Sequence, residues 1–264
     1  MATAQEPFRY REAGSKSART TIVFLHGLFG SPENWAPIMD ALADGYYGLA
    51  PQFPIDHRPD RRPQDFRSIH QLTDFVRDFL DDRGVERAVL CGNSLGGQVA
   101  IDFCLRYPER AERLVLTGSA GLFERNLAGG ELPKVTREFI REKAREIFYD
   151  PDPIVTEEMI ADVQRMLADR QYVRFLLRVA KATRNYNVRE ELSKLRLPTL
   201  ILWGRDDRIT PPSVAREFYE NLPHARLVFL ERCGHSPPIE RPQAFSRALR
   251  SFLKSPMSSP QRVC

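Results

Sequence analysis

The chain has 264 residues, 42% of them hydrophobic and 28% charged, a balance that fits a soluble globular domain long enough to bury a sizeable core. Its formal net charge of +4 is small and made of mixed signs, and the Arg-rich stretch 58–62 is broken by Pro and Asp. That pattern argues for a solvated surface and against a nucleic-acid partner. No apolar run approaches the roughly 20 residues that span a bilayer, so no membrane insertion is expected. Residues 1–7 show neither the basic start nor the apolar stretch of a secretory leader. Cys91, Cys104, Cys233 and Cys264 lack paired metal-ligand spacing, and the first two fall in expected core elements, which points to reduced thiols in a cytoplasmic protein.

In chain order, Phe8–Glu12 reads as a short edge strand, and Thr21–Leu25 as a buried one, β-branched and apolar. The latter runs straight into His26-Gly27-Leu28-Phe29-Gly30. A helix is expected from Ser31-Pro32-Glu33, with Pro suited to a first turn and Trp35, Ile38, Met39 and Leu42 inward. Tyr46–Ala50 is the next strand, ending at Pro51. Residues 52–67 are crowded with Pro, Arg and Asp, which marks a loop. Leu72, Phe75, Val76, Phe79 and Leu80 then recur at helical spacing. Ala88–Cys91 is a strand, residues 95–107 an apolar helix and Arg113–Thr117 another strand.

From Leu122 the pattern changes. Residues 122–193 carry charged amphipathic helices, over Glu138–Phe148, Glu157–Ala168 and Tyr172–Thr183, and no convincing strand. Thr199–Trp203 restores the strand pattern, followed by helix 212–222, strand 226–230 and helix 240–253. The expected organisation is a core of 1–121 plus 194–254, a helical cap inserted as 122–193, and a disordered tail over 255–264. Strand–helix alternation implies an α/β fold with a mostly parallel sheet covered on both faces.

The chemistry gathers around Gly92-Asn93-Ser94-Leu95-Gly96. A strand turning this sharply into a helix strains the central residue, and side chains two positions to either side would collide, so Gly fits there. Ser94 is thereby lifted out of the sheet at a helix N-terminus, where negative charge is favoured. The bland reading is a Gly-rich turn with a capping Ser. What decides between them is whether a base and an orienting carboxylate lie elsewhere at strand ends. Trp203-Gly204-Arg205-Asp206-Asp207 follows one strand and Cys233-Gly234-His235-Ser236 another, both at carboxyl ends, where open α/β sheets build sites.

The Gly-x-Ser-x-Gly turn and the chain order Ser, Asp, His resemble the α/β-hydrolase family over nearly the whole chain. The resemblance implies an α/β-hydrolase fold and a triad of Ser94, His235 and Asp207. Its usual Gly-x-x-Asp spacing selects Asp207 over Asp206. His26-Gly-x-x-Gly implies one oxyanion donor from the Leu28 N–H, with the second from Leu95. His26 is expected to be structural, and His57, His70 and His224 to be solvated or capping residues.

Acyl transfer through Ser94 of this kind needs no metal or cofactor. Asp or Cys at position 94 would have indicated dehalogenases, epoxide hydrolases or dienelactone hydrolases. The segments around Ser94, Asp207 and His235 are also similar to the meta-cleavage-product hydrolases, which cut C–C bonds of vinylogous diketones and carry Asn before the nucleophile. Two departures count against that substrate: the position of that family's carboxylate-binding Arg falls near Val163, and its Trp after the catalytic His is Ser236. Arg165, Arg170, Arg174, Arg178 or Arg184 could replace that Arg, though a solvated role fits lid charges better. An apolar lid face including Met159, Ile160, Met166, Leu167, Phe175, Leu176 and Val179 favours apolar substrates, or simply packs the lid onto the body.

The reading is therefore a carboxylic-ester hydrolase of small to medium apolar substrates, a monomer or homodimer, with substrate contacts from Asn93, Phe29, Met159 and Val163. C–C hydrolysis is the alternative. A non-catalytic ligand-binding protein of the same fold is the alternative of another class.

Overall fold

The computed structural model describes residues 8–57, 66–122 and 136–256. Seven strands form one sheet: β1 (Tyr10–Ala13), β2 (Thr21–Leu25), β3 (Tyr47–Pro51), β4 (Ala88–Asn93), β5 (Ala111–Thr117), β6 (Thr199–Gly204) and β7 (Ala225–Leu230). Their order is β1-β3-β2-β4-β5-β6-β7, with β1 antiparallel to β3 and every other pair parallel. The expected α/β architecture is present. The edge strand begins two residues later than the sequence suggested, because the ladder starts at Tyr10 opposite Pro51.

Side-chain alternation along the strands builds two cores. Val23, Leu25, Leu90, Leu114, Leu116, Ile201 and Trp203 point to one face. Ile22, Phe24, Val89, Cys91, Val115, Leu200 and Leu202 point to the other. Because side chains alternate with a period of two, both faces of a parallel strand must be apolar, and these runs are. On the second face, α1 (Ala36–Leu42) and α9 (Pro242–Lys254) supply Ile38, Met39, Leu42, Phe245, Leu249 and Phe252. On the first, α2 (His70–Asp82), α3 (Leu95–Arg106) and α7 (Pro212–Asn221) supply the cover. A 3-10 turn over Pro32–Trp35 precedes α1, so the predicted helix start is right and its first turn tighter than expected.

Among the described residues, three α-helices lie between β5 and β6: α4 (Arg137–Ile147), α5 (Glu157–Ala168) and α6 (Arg170–Asn185). Thr136, Thr156 and Asp169 cap their N-termini, each accepting backbone N–H donors of the first turn. α5 packs against α4 and α6. Phe175, Leu176 and Val179 of α6 are buried in the same core as β2 and β4. These residues fasten the insertion to the body, and so does the Tyr172 hydroxyl, which donates to the Ile55 carbonyl at 2.7 Å. Ile160 is buried as well.

The expected tail boundary moves. Ser255 follows α9 and its carbonyl accepts from Arg113 Nη2 at 2.7 Å, so the chain is anchored there. The remaining tail, Cys264, the Arg-rich stretch 58–62 and residues 123–135 of the insertion lie outside the described residues. Cys91, Cys104 and Cys233 are free and buried, and burial pushes all three thiols up. Among the described residues, no helix is long and apolar enough to cross a membrane, and no group of three His, Cys, Asp or Glu could hold a metal ion.

Candidate active site

β4 and α3 meet at Ser94, whose φ of 54° and ψ of −120° place it in a region L-residues rarely occupy. Such strain persists only where the surroundings impose it. They do so through two glycines. A Cβ on Gly92 would lie 2.2 Å from the Gly96 carbonyl oxygen, and one on Gly96 would lie 2.1 Å from that of Leu25. The turn is further tied by the Ser94 N–H, which donates to the Thr117 carbonyl at 3.0 Å.

Gly96→Ala is accordingly expected to cost at least about 3 kcal/mol, since the obstacle is backbone and not a flexible side chain. Chemical denaturation measures this directly. A loss below 1 kcal/mol, on the order of an ordinary surface substitution, would show that the turn can relax.

Leu25 pairs with Gly92 in the sheet, so the turn after β2 runs beside the turn after β4. A Cβ on Gly27 would sit 3.2 Å from the Ser94 Cβ. The structure thereby brings the segment carrying Leu28 against Ser94. Leu95 is the first residue of α3, where an N–H has no acceptor within the helix.

His26 shapes the first of these turns. Its Nδ1–H donates to the Gly27 carbonyl at 2.7 Å, and its Nε2 accepts from the Phe53 N–H at 3.0 Å and the Gln52 amide at 3.1 Å. The ring is a neutral structural bridge, as expected. Burial lowers its pKa from 6.5 to about 4.

Because the unfolded chain takes up this proton first, stability is lost as pH falls from 6.5 towards about 4, and is unaffected by this group above that window. The expected loss is about 3 kcal/mol. Urea titrations at neutral and acid pH check it: His26→Asn, though less stable at neutral pH, is expected to show a shallower pH dependence by that amount.

Asp207 is buried in the loop after β6, whereas Asp206 is exposed and accepts only a 3.3 Å bond from the Cys233 N–H. Asp207 Oδ1 accepts from the backbone N–H groups of Ile209 at 2.8 Å and Thr210 at 2.9 Å. Its Oδ2 accepts from Thr210 Oγ1 at 2.9 Å and from His235 Nδ1–H at 2.9 Å. His235 Nε2 then accepts from the Ser94 hydroxyl at 3.0 Å. Three residues from three loops thus form one hydrogen-bonded relay. Gly204 permits the loops to meet, since a Cβ there would lie 2.0 Å from the Gly234 carbonyl oxygen.

Asn93 is held by its amide group. Its Nδ2 donates to the Thr117 carbonyl at 3.0 Å and the His235 carbonyl at 3.1 Å, so both amide protons brace the loops and only Oδ1 is left for a ligand. Phe29, in the turn after His26, is 63% exposed. Met159 is 44% exposed on α5, and Val163 is partly buried one turn further along. Arg165, Arg170, Arg174, Arg178 and Arg184 are all exposed. His70 and His57 are more than solvated residues: His70 Nδ1 lies 2.8 Å from the buried Asp102 carboxylate, and His57 Nε2 lies 3.2 Å from that of Asp169.

Thr210 lies outside the residues expected at the site, although Asp207-x-x-Thr210 is a recognisable local capping pattern. Glu240 carries no comparable signal in the sequence.

Residues 22–248 match the sequence model of the alpha/beta hydrolase family. The chain belongs to that family. Among curated members, it is 31% identical over 262 residues to a 2-hydroxy-6-oxononadienedioate/2-hydroxy-6-oxononatrienedioate hydrolase of Paraburkholderia phymatum, covering 92% of this chain and 90% of the relative. Among solved structures of the α/β-hydrolase fold, it is similar to the meta-cleavage product hydrolase of Pseudomonas fluorescens IP01, with a TM-score of 0.78, 26% identity and 93% of each chain covered. It is also similar to a bacterial membrane phospholipase A, with a TM-score of 0.81 and 25% identity over 92% of this chain and 81% of that one.

Proposed function

We propose that this hydrolase works as a serine hydrolase, with Ser94 as nucleophile, His235 as general base and Asp207 as the carboxylate that orients His235. The supporting observation is the continuous relay from the Ser94 hydroxyl through His235 to Asp207, with bonds of 3.0 and 2.9 Å. In this reading His235 Nε2 removes the Ser94 proton as Oγ adds to the substrate carbonyl. The oxyanion is held by the N–H groups of Leu28 and Leu95, and one such donor is worth about 3–4 kcal/mol in measured enzymes. Collapse expels the leaving group, which takes the proton from His235. Water, deprotonated by His235, then releases the acid from the acyl-enzyme. The insertion 122–193 serves as the cap over this centre.

The substrate class we favour is a carboxylic ester with small to medium apolar groups. The five arginines of the helical block that could have bound a carboxylate are all exposed, and the position that the resemblance implies for that Arg falls near Val163. Exposed apolar side chains at Phe29 and Met159 suit an apolar ligand. C–C hydrolysis is the second reading. It is favoured by the names of the Paraburkholderia and Pseudomonas relatives, and the same nucleophile would serve it.

The test is a chain-length series of p-nitrophenyl esters together with a fluorophosphonate that labels activated serines. Turnover peaking at short to medium acyl chains, with one label per chain on Ser94, is the expected result. Labelling without turnover of any ester would move the substrate to vinylogous diketones. A folded protein that takes no label would overturn Ser94 as a nucleophile.

A further inference from the structure

The loop that carries His235 is short of regular structure, yet its backbone is held at three consecutive residues. The Gly234 N–H donates to Glu240 Oε2 at 2.8 Å and the Ser236 N–H to Glu240 Oε1 at 3.0 Å. Between them, the His235 N–H donates to the Ile147 carbonyl at 2.7 Å. Ile147 is the last residue of α4 in the insertion. Glu240 closes the circuit, because its Oε2 also accepts the Tyr149 N–H at 2.8 Å. It sits at the end of α8 (Pro237–Glu240), a short turn hidden in the sequence by two adjacent prolines.

The two backbones touch closely here: a Cβ on Gly234 would lie 2.4 Å from the Ile147 carbonyl oxygen. The Asp207 loop reaches the same helix end, with Arg208 Nη1 donating to the Arg145 carbonyl at 3.2 Å. Carbonyls in the last turn of a helix lack partners within it. Two of those of α4 are satisfied by the loops carrying His235 and Asp207.

We propose that Glu240 is a positioning residue for His235, and that by holding Tyr149 with the same carboxylate it makes the docked end of α4 part of the loop that aims His235 at Ser94. The proposal rests on the reading of Ser94 and His235 as nucleophile and base. Glu240 touches neither substrate nor reacting atoms. It acts by fixing the amides on either side of His235, so its loss lets the imidazole drift from the 3.0 Å contact with Ser94. Displacements of about 1 Å at such a contact can cost a hundredfold in rate.

The experiment compares wild type, Glu240→Ala, the isosteric Glu240→Gln and Tyr149→Pro, all at a temperature where circular dichroism shows each folded. Tyr149→Pro removes the N–H that reaches Glu240 and leaves the carboxylate intact. Expected for Glu240→Ala is a fall in kcat of about 10- to 100-fold with KM within about threefold. The rate of fluorophosphonate labelling of Ser94 should fall in step while the final label stays at one per chain. Glu240→Gln keeps one acceptor oxygen and should recover part of the loss. It also carries the test alone if Glu240→Ala does not fold. Tyr149→Pro should lower kcat and labelling rate several-fold in the same pattern.

Folded Glu240→Ala or Glu240→Gln turning over and labelling at wild-type rates would overturn the positioning role. Loss in the Glu240 variants with none in Tyr149→Pro would overturn the part assigned to α4. A wild type that takes no label is a different failure, one that removes Ser94 as nucleophile and this proposal with it.

Discussion

Ser94→Ala is expected to lower kcat/KM toward any substrate the protein turns over by at least about a thousandfold, and to abolish fluorophosphonate labelling. The change removes one oxygen, the only atom of residue 94 that reaches His235. It leaves the glycines at 92 and 96 and the ties of the turn untouched, so the variant should fold and melt much as the wild type does. Residual catalysis above the uncatalysed rate is expected, because the backbone donors proposed at Leu28 and Leu95 would still polarise a bound carbonyl. Steady-state kinetics on the best ester of the chain-length series decides the matter. A variant retaining more than about a tenth of wild-type activity would place the chemistry elsewhere.

A second large effect is expected at Asp207, with Asp206 as its built-in control. Asp207 Oδ1 accepts two backbone N–H bonds, so an amide replacing the carboxylate must put its oxygen there. The amide NH2 then occupies the Oδ2 position and faces His235 Nδ1. A donor at that point forces the imidazole to accept at Nδ1 and carry its proton on Nε2, toward Ser94, where it cannot take the hydroxyl proton. Asp207→Asn should therefore reduce kcat by about a thousand- to ten-thousandfold, in line with the effect of the equivalent change in serine proteases. Asp206→Asn alters an exposed carboxylate with a 3.3 Å bond to the Cys233 N–H, and should stay within about threefold of wild type. Comparable losses at both positions would mean that the loop after β6 does not act through the bond from Asp207 to His235.

The residues of this relay were legible in the sequence because each sits at the end of an apolar strand beside a glycine that a close approach demands. Gly92 and Gly96 flank Ser94, Gly204 precedes Asp207, and Gly234 precedes His235. Strand periodicity and turn chemistry are local properties, and local reasoning finds these segments. The grouping of Ser94, Asp207 and His235, and the choice of Asp207 over Asp206, is what the resemblance to the α/β-hydrolase family implies. That the amide protons of Asn93 go to carbonyls of β5 and of the His235 loop is a matter of tertiary arrangement that no local pattern shows. The apolar side chains of the helical block suffered the same limit. Met159, Phe175 and Val179 share one apolar pattern in sequence, while Met159 is exposed and the other two are buried. Glu240 was invisible for the same reason, since one of its partners is 91 residues away.

The far end of the insertion is fastened as well. Gln98, four residues after Ser94 on α3, donates through Nε2 to the Thr183 carbonyl at 3.0 Å and the Tyr186 carbonyl at 2.6 Å. The Val188 N–H donates to the Gly121 carbonyl at 2.9 Å. With Ile147 and Tyr149 bonded to the His235 loop, the helical block is tied to the loops around Ser94 and His235 at the end of α4 and again after α6. For anyone recombining this protein with a relative, that sets where crossovers belong. Joints placed at the outer limits of the block would pair one parent's loop with another parent's anchor. Joints between 150 and 182 keep Ile147, Tyr149, Thr183 and Tyr186 with their parental partners, and the bond from the Tyr172 hydroxyl to the Ile55 carbonyl is the tie that such an exchange has to preserve.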